Sequence, residues 1–376
     1  MGTTTGVASG AANSAESIRK FDWLLLFGPL SLILVGLMSL YSIGYSIGSQ
    51  ALFQRQLLLI SFGLVPFAVF WIVSPRFWIR AATPLYILNV IVLAVVLAFG
   101  SRAGGAQRWI DIGPIQFQPS EMAKLFTVLT LSSFFLNRLD RINEFSTFAL
   151  SFIHVLVPLI LVYKQPHLGA SLVMLSIWFS ICVIAGVPWK FTVGSVLCAS
   201  LFLGIAFFTP GLMKDYQKGR VLAMFQNDVK GSGYQTSRAQ IAFGVGNLFG
   251  TGYLKGEQKR GKFIPEQHND FVFTVIGEEG GLVGCSLVLG AFAFFFYRVW
   301  LVIFESRDPF FKMASAGVFG MLAFHMVVNL GMILQMLPVV GLWLPFISYG
   351  GTAIWLCMAC VGLLLSIRRS ERPMMF

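Results

Sequence analysis

The chain has 376 residues, 56% of them hydrophobic and only 11% charged, with a net charge of +11 and a mean hydropathy of +0.77. An ordinary soluble domain carries about 25% charged residues, so this composition excludes a soluble globular enzyme, a disordered chain and a fibrous repeat. The positive charge is therefore read loop by loop as a topology signal, not as a nucleic-acid footprint.

In chain order, Met1–Glu16 is small and polar and is expected to be disordered. Met1 and Gly2 resemble a myristoylation start, but Gly6 stands where Ser or Thr is needed. The first apolar run is too long for a signal peptide and is read as a membrane helix. Runs close to the ~20 residues that cross a bilayer predict ten spans, at 22–44, 56–74, 79–99, 121–136, 146–163, 168–187, 190–209, 270–297, 312–336 and 347–367. The expected fold is an all-α polytopic membrane protein: a tail over 1–20, one transmembrane domain over 21–369 and a tail over 370–376.

An even number of spans puts both ends on one side. With those ends cytoplasmic, inner segments hold thirteen Lys and Arg residues, while the short outer loops hold five: Arg55, Arg102, Arg108, Lys124 and Lys164. The other nine lie in 210–269, a long extracytoplasmic loop to which the charge rule does not apply. Gly100–Ser120 forms a second outer loop. Within the long loop a helix is expected over Thr236–Phe243, then a flexible run marked by Gly244, Gly246, Gly250, Gly252 and Gly256.

Two lookalike motifs are set aside. Gly256, Gly261 and Lys262 match part of a phosphate-binding loop, but Phe263 replaces its Ser or Thr. Gly244 and Gly246 open a dinucleotide-like run whose third glycine falls at Gly250, outside any βαβ unit. Cys182, Cys198, Cys285, Cys357 and Cys360 read as buried small apolar residues, and four scattered histidines give no dedicated metal site.

Sixteen acids serve the whole chain, so each one near a membrane helix needs a reason. Asp140, Glu144, Glu305, Asp308 and Glu371 fall in cytoplasmic segments, where water suffices. Glu121 and Lys124 share a helix face after Gln118, Pro119 and Ser120, with Ser120 the expected N-cap. They form either a structural ion pair or a charged site facing a cavity. Asp270 opens the eighth span after His268 and Asn269. It is either a helix cap or a carboxylate half in water, a setting that raises a pKa toward general-base range. Glu278 and Glu279 lie about 12 Å deeper on the same helix. They are either functional or bonded to Asn329 or His325.

Arg102, Arg108, Arg220, Arg238, Lys255, Lys259, Arg260 and Lys262 make the outer face basic. Arginine forks suit phosphate, so the face fits a pyrophosphate-linked lipid, or, without a specific site, anionic headgroups. His167 stands in a short outer loop; His154 and His325 lie within helices as core residues or interhelical partners.

Four ordered segments together carry a family resemblance. They are Ala106–Lys124, with Arg108, Trp109, Gln118 and Glu121; Gly233 with Gly244, Gly246 and Gly250; Pro265–Phe273 running on to Glu278 and Glu279; and Asn329–Met332 followed by Leu344–Gly351. From about Phe21 to Arg369 the chain resembles the SEDS family, the shape, elongation, division and sporulation proteins, and within it the elongation member. The resemblance implies a peptidoglycan glycosyltransferase of the bacterial cytoplasmic (inner) membrane that polymerises lipid II, an undecaprenyl-pyrophosphoryl disaccharide-pentapeptide, on the outer face. The resemblance maps the family's proposed catalytic aspartate to Asp270, and the glutamate and lysine of the first of these segments to Glu121 and Lys124. Arg108, Lys124 and Arg220 are the candidates for meeting the leaving pyrophosphate, with Gln118, Ser120, His268 and Ser348 as binding or supporting residues.

A divalent cation, magnesium or manganese, is a candidate cofactor, and no organic cofactor is implied. The implied partners are a class B penicillin-binding protein, which is a transpeptidase, and elongation-complex membrane proteins. The chain departs from the family pattern at His167, often Asp, and at Trp343 and Thr352, often Pro and Ser. Two competing readings remain: a lipid-precursor flippase, which would place ionisable groups at the midplane with broken helices and repeated halves, and a non-catalytic scaffold for a transpeptidase.

Overall fold

The computed structural model describes residues 22–103, 106–113, 115–209, 215–222, 232–259 and 267–371. The expected tail at 1–20 and the basic residues Arg260 and Lys262 lie outside the described residues. Ten long helices fall where ten spans are expected: α1 Trp23–Ile47, α2 Ala51–Ile72, α3 Pro75–Phe99, α4 Pro119–Leu136, α5 Phe145–Lys164, α6 Leu168–Ala185, α7 Trp189–Phe208, α10 Phe273–Glu305, α11 Pro309–Ile333 and α12 Gly351–Glu371. Two shorter helices, α8 Asp215–Leu222 and α9 Ser232–Gly246, belong to the long outer segment. Eight of the ten are long and apolar enough to cross a membrane, with α4 and the described apolar run of α7 falling short.

Local signals set the ends. Asp22 caps α1 by accepting from the Leu25 N–H, and Asp308 caps α11 from Phe310. Pro75, Pro119 and Pro309 sit in the first turns of α3, α4 and α11, where a missing N–H costs nothing. The outer surfaces of the helices are apolar: Phe27, Leu34, Leu58 and Val65 are all exposed, as a lipid-facing belt requires.

The helix short of charge-free length is the central one. α4 is buried nearly all round by α3, α5, α6, α11 and α12. Its polar residues turn inward on their own backbone: Thr127 donates to Ala123 O and Ser132 to Val128 O. Gly317 of α11 lies against Val128, so a Cβ there would come within 2.8 Å. Small residues at such crossings let membrane helices approach without a hydrophobic drive.

Four expectations are corrected. Gly100–Ser120 is not a plain loop: it folds into a three-stranded antiparallel sheet, β1 Ser101–Ala103, β2 Ala106–Ile112 and β3 Ile115–Phe117. Its register pairs Ser101 with Trp109 and Ile110 with Phe117. The helix in the long segment spans Ser232–Gly246, more than Thr236–Phe243. The eighth span begins at Phe273, because 267–272 form turns held from outside, and it runs on to Glu305. The last helix begins at Gly351, since Phe346 at φ +67° and Gly350 at φ +156° are not helical.

The glycine run after α9 is a packed seam, not a flexible loop. α10 breaks at Gly281 (φ +60°, ψ −158°), a conformation reserved for glycine. The groups freed by the break are met by the chain following α9: Leu282 N–H donates to Asn247 O, Val283 N–H to Leu248 O and Thr251 N–H to Glu278 O. A Cβ on Gly250 would come within 2.0 Å of Glu279 O, so only glycine permits this approach.

Candidate active site

The candidate residues gather at one end of the bundle, from segments far apart in sequence. The first turn of α4 supplies Glu121 and Lys124, which are 2% and 0% exposed, and Lys124 Nζ donates to Glu121 Oε2 at 2.7 Å. The ion pair expected in the structural reading is present and buried. α11 faces it with His325, whose Nε2 lies 3.0 Å from Lys124 Nζ. Trp343, in the connection after α11, donates its indole N–H to the same Glu121 oxygen at 3.0 Å.

One turn further along α11, Asn329 reaches the next segment. Its amide donates to the Asp270 carbonyl at 2.8 Å and to the Leu342 carbonyl at 2.6 Å. Residues four apart share a helix face about 6 Å apart, so α11 holds the Lys124 pair and the Asp270 turn side by side. Asp270 is half-buried and precedes α10, whose N-cap is Val272. The cap reading of Asp270 is therefore corrected. Its carboxylate lies beside Gly341, where a Cβ would come within 3.5 Å of Oδ2.

The turn carrying Asp270 is strapped by the segment before α12. Ser348 Oγ donates to Asn269 O at 2.6 Å and accepts from Leu344 N–H at 2.8 Å. Tyr349 N–H donates to His268 O, and the His268 ring meets the Tyr349 ring edge-on at 5.4 Å. Ser348 and His268 thus act on the backbone of the turn.

Arg108 on β2 completes the cluster. Burial draws its guanidinium below the ordinary range, Glu121 and Asp270 pull it back up, and Arg220 on α8 pushes it down. Glu121, Asp270 and Arg220 are thus all within electrostatic reach of Arg108. The Arg108 Nε is buried with no hydrogen-bond partner among the described residues. A buried, charged donor left open is a place for an anion.

Gln118 is the N-cap of α4, so the expected cap at Ser120 is corrected: Pro119 already occupies the first helical position. Gln118 N–H donates to Thr352 Oγ1 at 3.0 Å, and its amide lies 3.1 Å from His167 Nδ1. Ser120 Oγ lies 3.5 Å from the same nitrogen. Burial first, then the Arg108 and Lys124 cations, push the His167 imidazole well below its usual range. His167 is therefore a neutral hydrogen-bonding partner.

Glu278 and Glu279 do not reach Asn329 or His325, the partners expected for a structural role. Glu279 is paired with Lys259 and accepts from Ser42 of α1 at 2.6 Å. Glu278 accepts from Gln258 N–H at 2.7 Å. Both carboxylates fasten the 247–259 segment to the broken helix. Among the described residues no group of three His, Cys, Asp or Glu is placed to hold a metal ion. Glu121 Oε2 accepts from both Lys124 and Trp343.

Asn329, His325, Trp343 and Thr352 were not singled out as site residues by the sequence. A signal existed for two of them: His325 and Asn329 stand four apart on an otherwise apolar helix. Of the cysteines, Cys198 is exposed and the other four are buried, all free. His154 bonds Thr130 Oγ1 of α4 at 3.0 Å, the interhelical role expected of it.

Comparison with known proteins places this architecture. Residues 20–373 match the FTSW_RODA_SPOVE family, described as cell cycle protein. The chain belongs to that family. It is 34% identical over 354 residues to the peptidoglycan glycosyltransferase MrdB of Escherichia coli (strain K12), covering 93% of this chain and 94% of that one. It is 27% identical over 431 residues to the peptidoglycan glycosyltransferase RodA of Treponema pallidum (strain Nichols), covering 95% and 99%. The fold resembles the rod shape determining protein RodA of Thermus thermophilus, with a TM-score of 0.69, 29% identity, and coverage of 94% of this chain and 98% of that one. It also resembles a chain of a peptidoglycan synthase complex that coordinates polymerization and crosslinking, with a TM-score of 0.80, 29% identity and coverage of 93% and 98%. The protein is an integral, multi-pass protein of the bacterial cytoplasmic membrane.

Proposed function

We propose that this protein is a peptidoglycan glycosyltransferase that polymerises lipid II into glycan strands on the outer face of the cytoplasmic membrane during cell elongation. The observation that carries the reading is that one face of α11 holds both the backbone of Asp270, through Asn329, and the buried Glu121–Lys124 pair, through His325, with Arg108 in electrostatic reach of Asp270 and Glu121.

The chemistry follows from those groups. An acceptor sugar hydroxyl attacks the donor's anomeric carbon, forming one C–O bond as the bond to the lipid pyrophosphate breaks. The hydroxyl proton passes to Asp270, and the electron pair leaves with the pyrophosphate. A half-buried carboxylate is suited to the first task. Arg108, Lys124 and Arg220 meet the charge that grows on the leaving group. Glu121 holds Lys124 in place.

The asymmetry of basic residues puts both termini in the cytoplasm and this end of the bundle outside. The partner class is a class B penicillin-binding protein, supported by the synthase complex that one structural relative comes from. The break in α10 is the feature that would suit a transporter. Its two carboxylates are bound to the protein's own Lys259, Ser42 and Gln258, which favours the polymerase.

The test is glycan synthesis from purified lipid II by the protein with its transpeptidase, crosslinking being blocked by a β-lactam. Asp270→Asn, correctly folded and complexed, is expected to lower the rate by about 100-fold or more. Wild-type rates from Asp270→Asn would remove the carboxylate from the mechanism. A wild-type complex that makes no glycan would move the weight to the flippase or scaffold.

A further inference from the structure

His167, Trp343 and Thr352 all touch one short segment, Gln118–Glu121. His167 meets Gln118 and Ser120, Thr352 accepts from Gln118, and Trp343 donates to Glu121. Around the ion pair this produces a closed arrangement. The Trp343 and His325 rings stack at 3.9 Å between centroids and 26° between planes. Trp343 holds Glu121 Oε2, and His325 holds Lys124, which itself donates to that same oxygen. Lys124 Nζ also lies 5.1 Å from the centre of the Trp343 ring.

The donor count gives this arrangement a direction. An ammonium has three N–H groups and no acceptor. His325 Nε2 must therefore carry the lone pair, and the ring's proton is on Nδ1. Glu121 and His325 take two of the three Lys124 donors, and among the described residues no hydrogen-bond partner takes the third. A lysine on a flexible four-carbon stem held by one partner alone could rotate about it; a second acceptor on another helix fixes where the third N–H points.

We infer that His325 and Trp343 are positioning residues that aim the remaining Lys124 N–H at the substrate's pyrophosphate. The inference rests on the reading of Lys124 as a pyrophosphate-binding cation. His325 acts through Lys124 by hydrogen bonding. Trp343 acts on both, through its bond to Glu121 and its stacking on His325. Neither touches the reacting atoms.

The experiment measures binding of undecaprenyl pyrophosphate to the full-length protein in phosphatidylcholine nanodiscs. The variants are His325→Leu, His325→Gln, Trp343→Phe, Lys124→Met and the double variant His325→Leu/Lys124→Met. His325→Leu keeps the bulk and removes the acceptor; it is expected to weaken binding about tenfold. His325→Gln restores an acceptor oxygen and is expected to regain most of that loss. Trp343→Phe keeps a ring for stacking and is expected to weaken binding by a smaller factor, which serves if His325→Leu does not fold. In the Lys124→Met background, His325→Leu is expected to change nothing, because a residue acting through Lys124 has no further effect once it is gone. Losses that multiply across the two backgrounds, or wild-type affinity in both His325→Leu and Trp343→Phe, would overturn the inference. Lys124→Met binding as tightly as wild type, or a wild type that does not bind, would instead overturn the reading of Lys124 itself.

Discussion

Asn329 spends its amide on two carbonyls, those of Asp270 and Leu342, and so holds the main chain that carries the carboxylate. Replacing it with Ala leaves two carbonyls short of a donor in a buried place, a cost of about 2–4 kcal/mol. Asn329→Ala is accordingly expected to lower the thermal midpoint and to cut glycan synthesis at least tenfold with Asp270 intact; equal rates would show that the turn holds itself. At this scale the sequence was informative about charges and silent about their partners. Glu121, Lys124 and Asp270 stood out because acids are scarce in so apolar a chain. The bonds that fix them run from residue 124 to 325 and from 121 to 343, separations over which no local pattern carries information. Ser348 comes near Asp270 only through the fold, where it donates to Asn269 O while the His268 carbonyl accepts from Tyr349 N–H.

The broken helix α10 and the 247–259 segment form one element made from two pieces. Lys259, fully buried, is the rivet between Glu279 and Ser42. Removing one member of a buried ion pair strands the other and costs about 3–5 kcal/mol, whereas replacing both with apolar residues costs far less. Lys259→Met is thus expected to be much less stable than Lys259→Met/Glu279→Met, measured as thermal midpoints in detergent. The reverse order would mean that the pair bears no load in this seam. Glycines read from sequence alone signal freedom, which is why this segment was expected to flex. Here Gly250 serves contact instead: the absence of a side chain lets its backbone reach Glu279 O. The sheet at 101–117 escaped detection for another reason, since its strands are three to seven residues long and alternate too briefly to read.

For the whole molecule, length and hydropathy located the ten long helices, and eight of them are long and apolar enough to cross a bilayer, where lipid leaves a chain no other way to satisfy its backbone. What the pattern could not supply is which helix sits in the middle. On the side opposite the candidate site, Asp22 accepts from Arg298 and pairs with Arg368, joining α1, α10 and α12. With both ends cytoplasmic, single cysteines in a cysteine-free background are expected to react with a membrane-impermeant maleimide from outside at Asp111 and from inside at Asp140. The opposite labelling would invert the orientation and place the Asp270 end in the cytoplasm.

The central position of α4 has a consequence for biogenesis. The helix enters the membrane fourth in order of synthesis, carrying a lysine and a glutamate, and it falls short of the apolarity of its neighbours. The groups that bond to its charges, His325 accepting from Lys124 and Trp343 donating to Glu121, are made some two hundred residues later. A nascent chain ending before α11 therefore holds an ion pair with no proper home in lipid. α4 gains these partners only once α11 and the connection after it have been made, so the bonds that build the candidate site also tie the fourth helix to the last part of the chain.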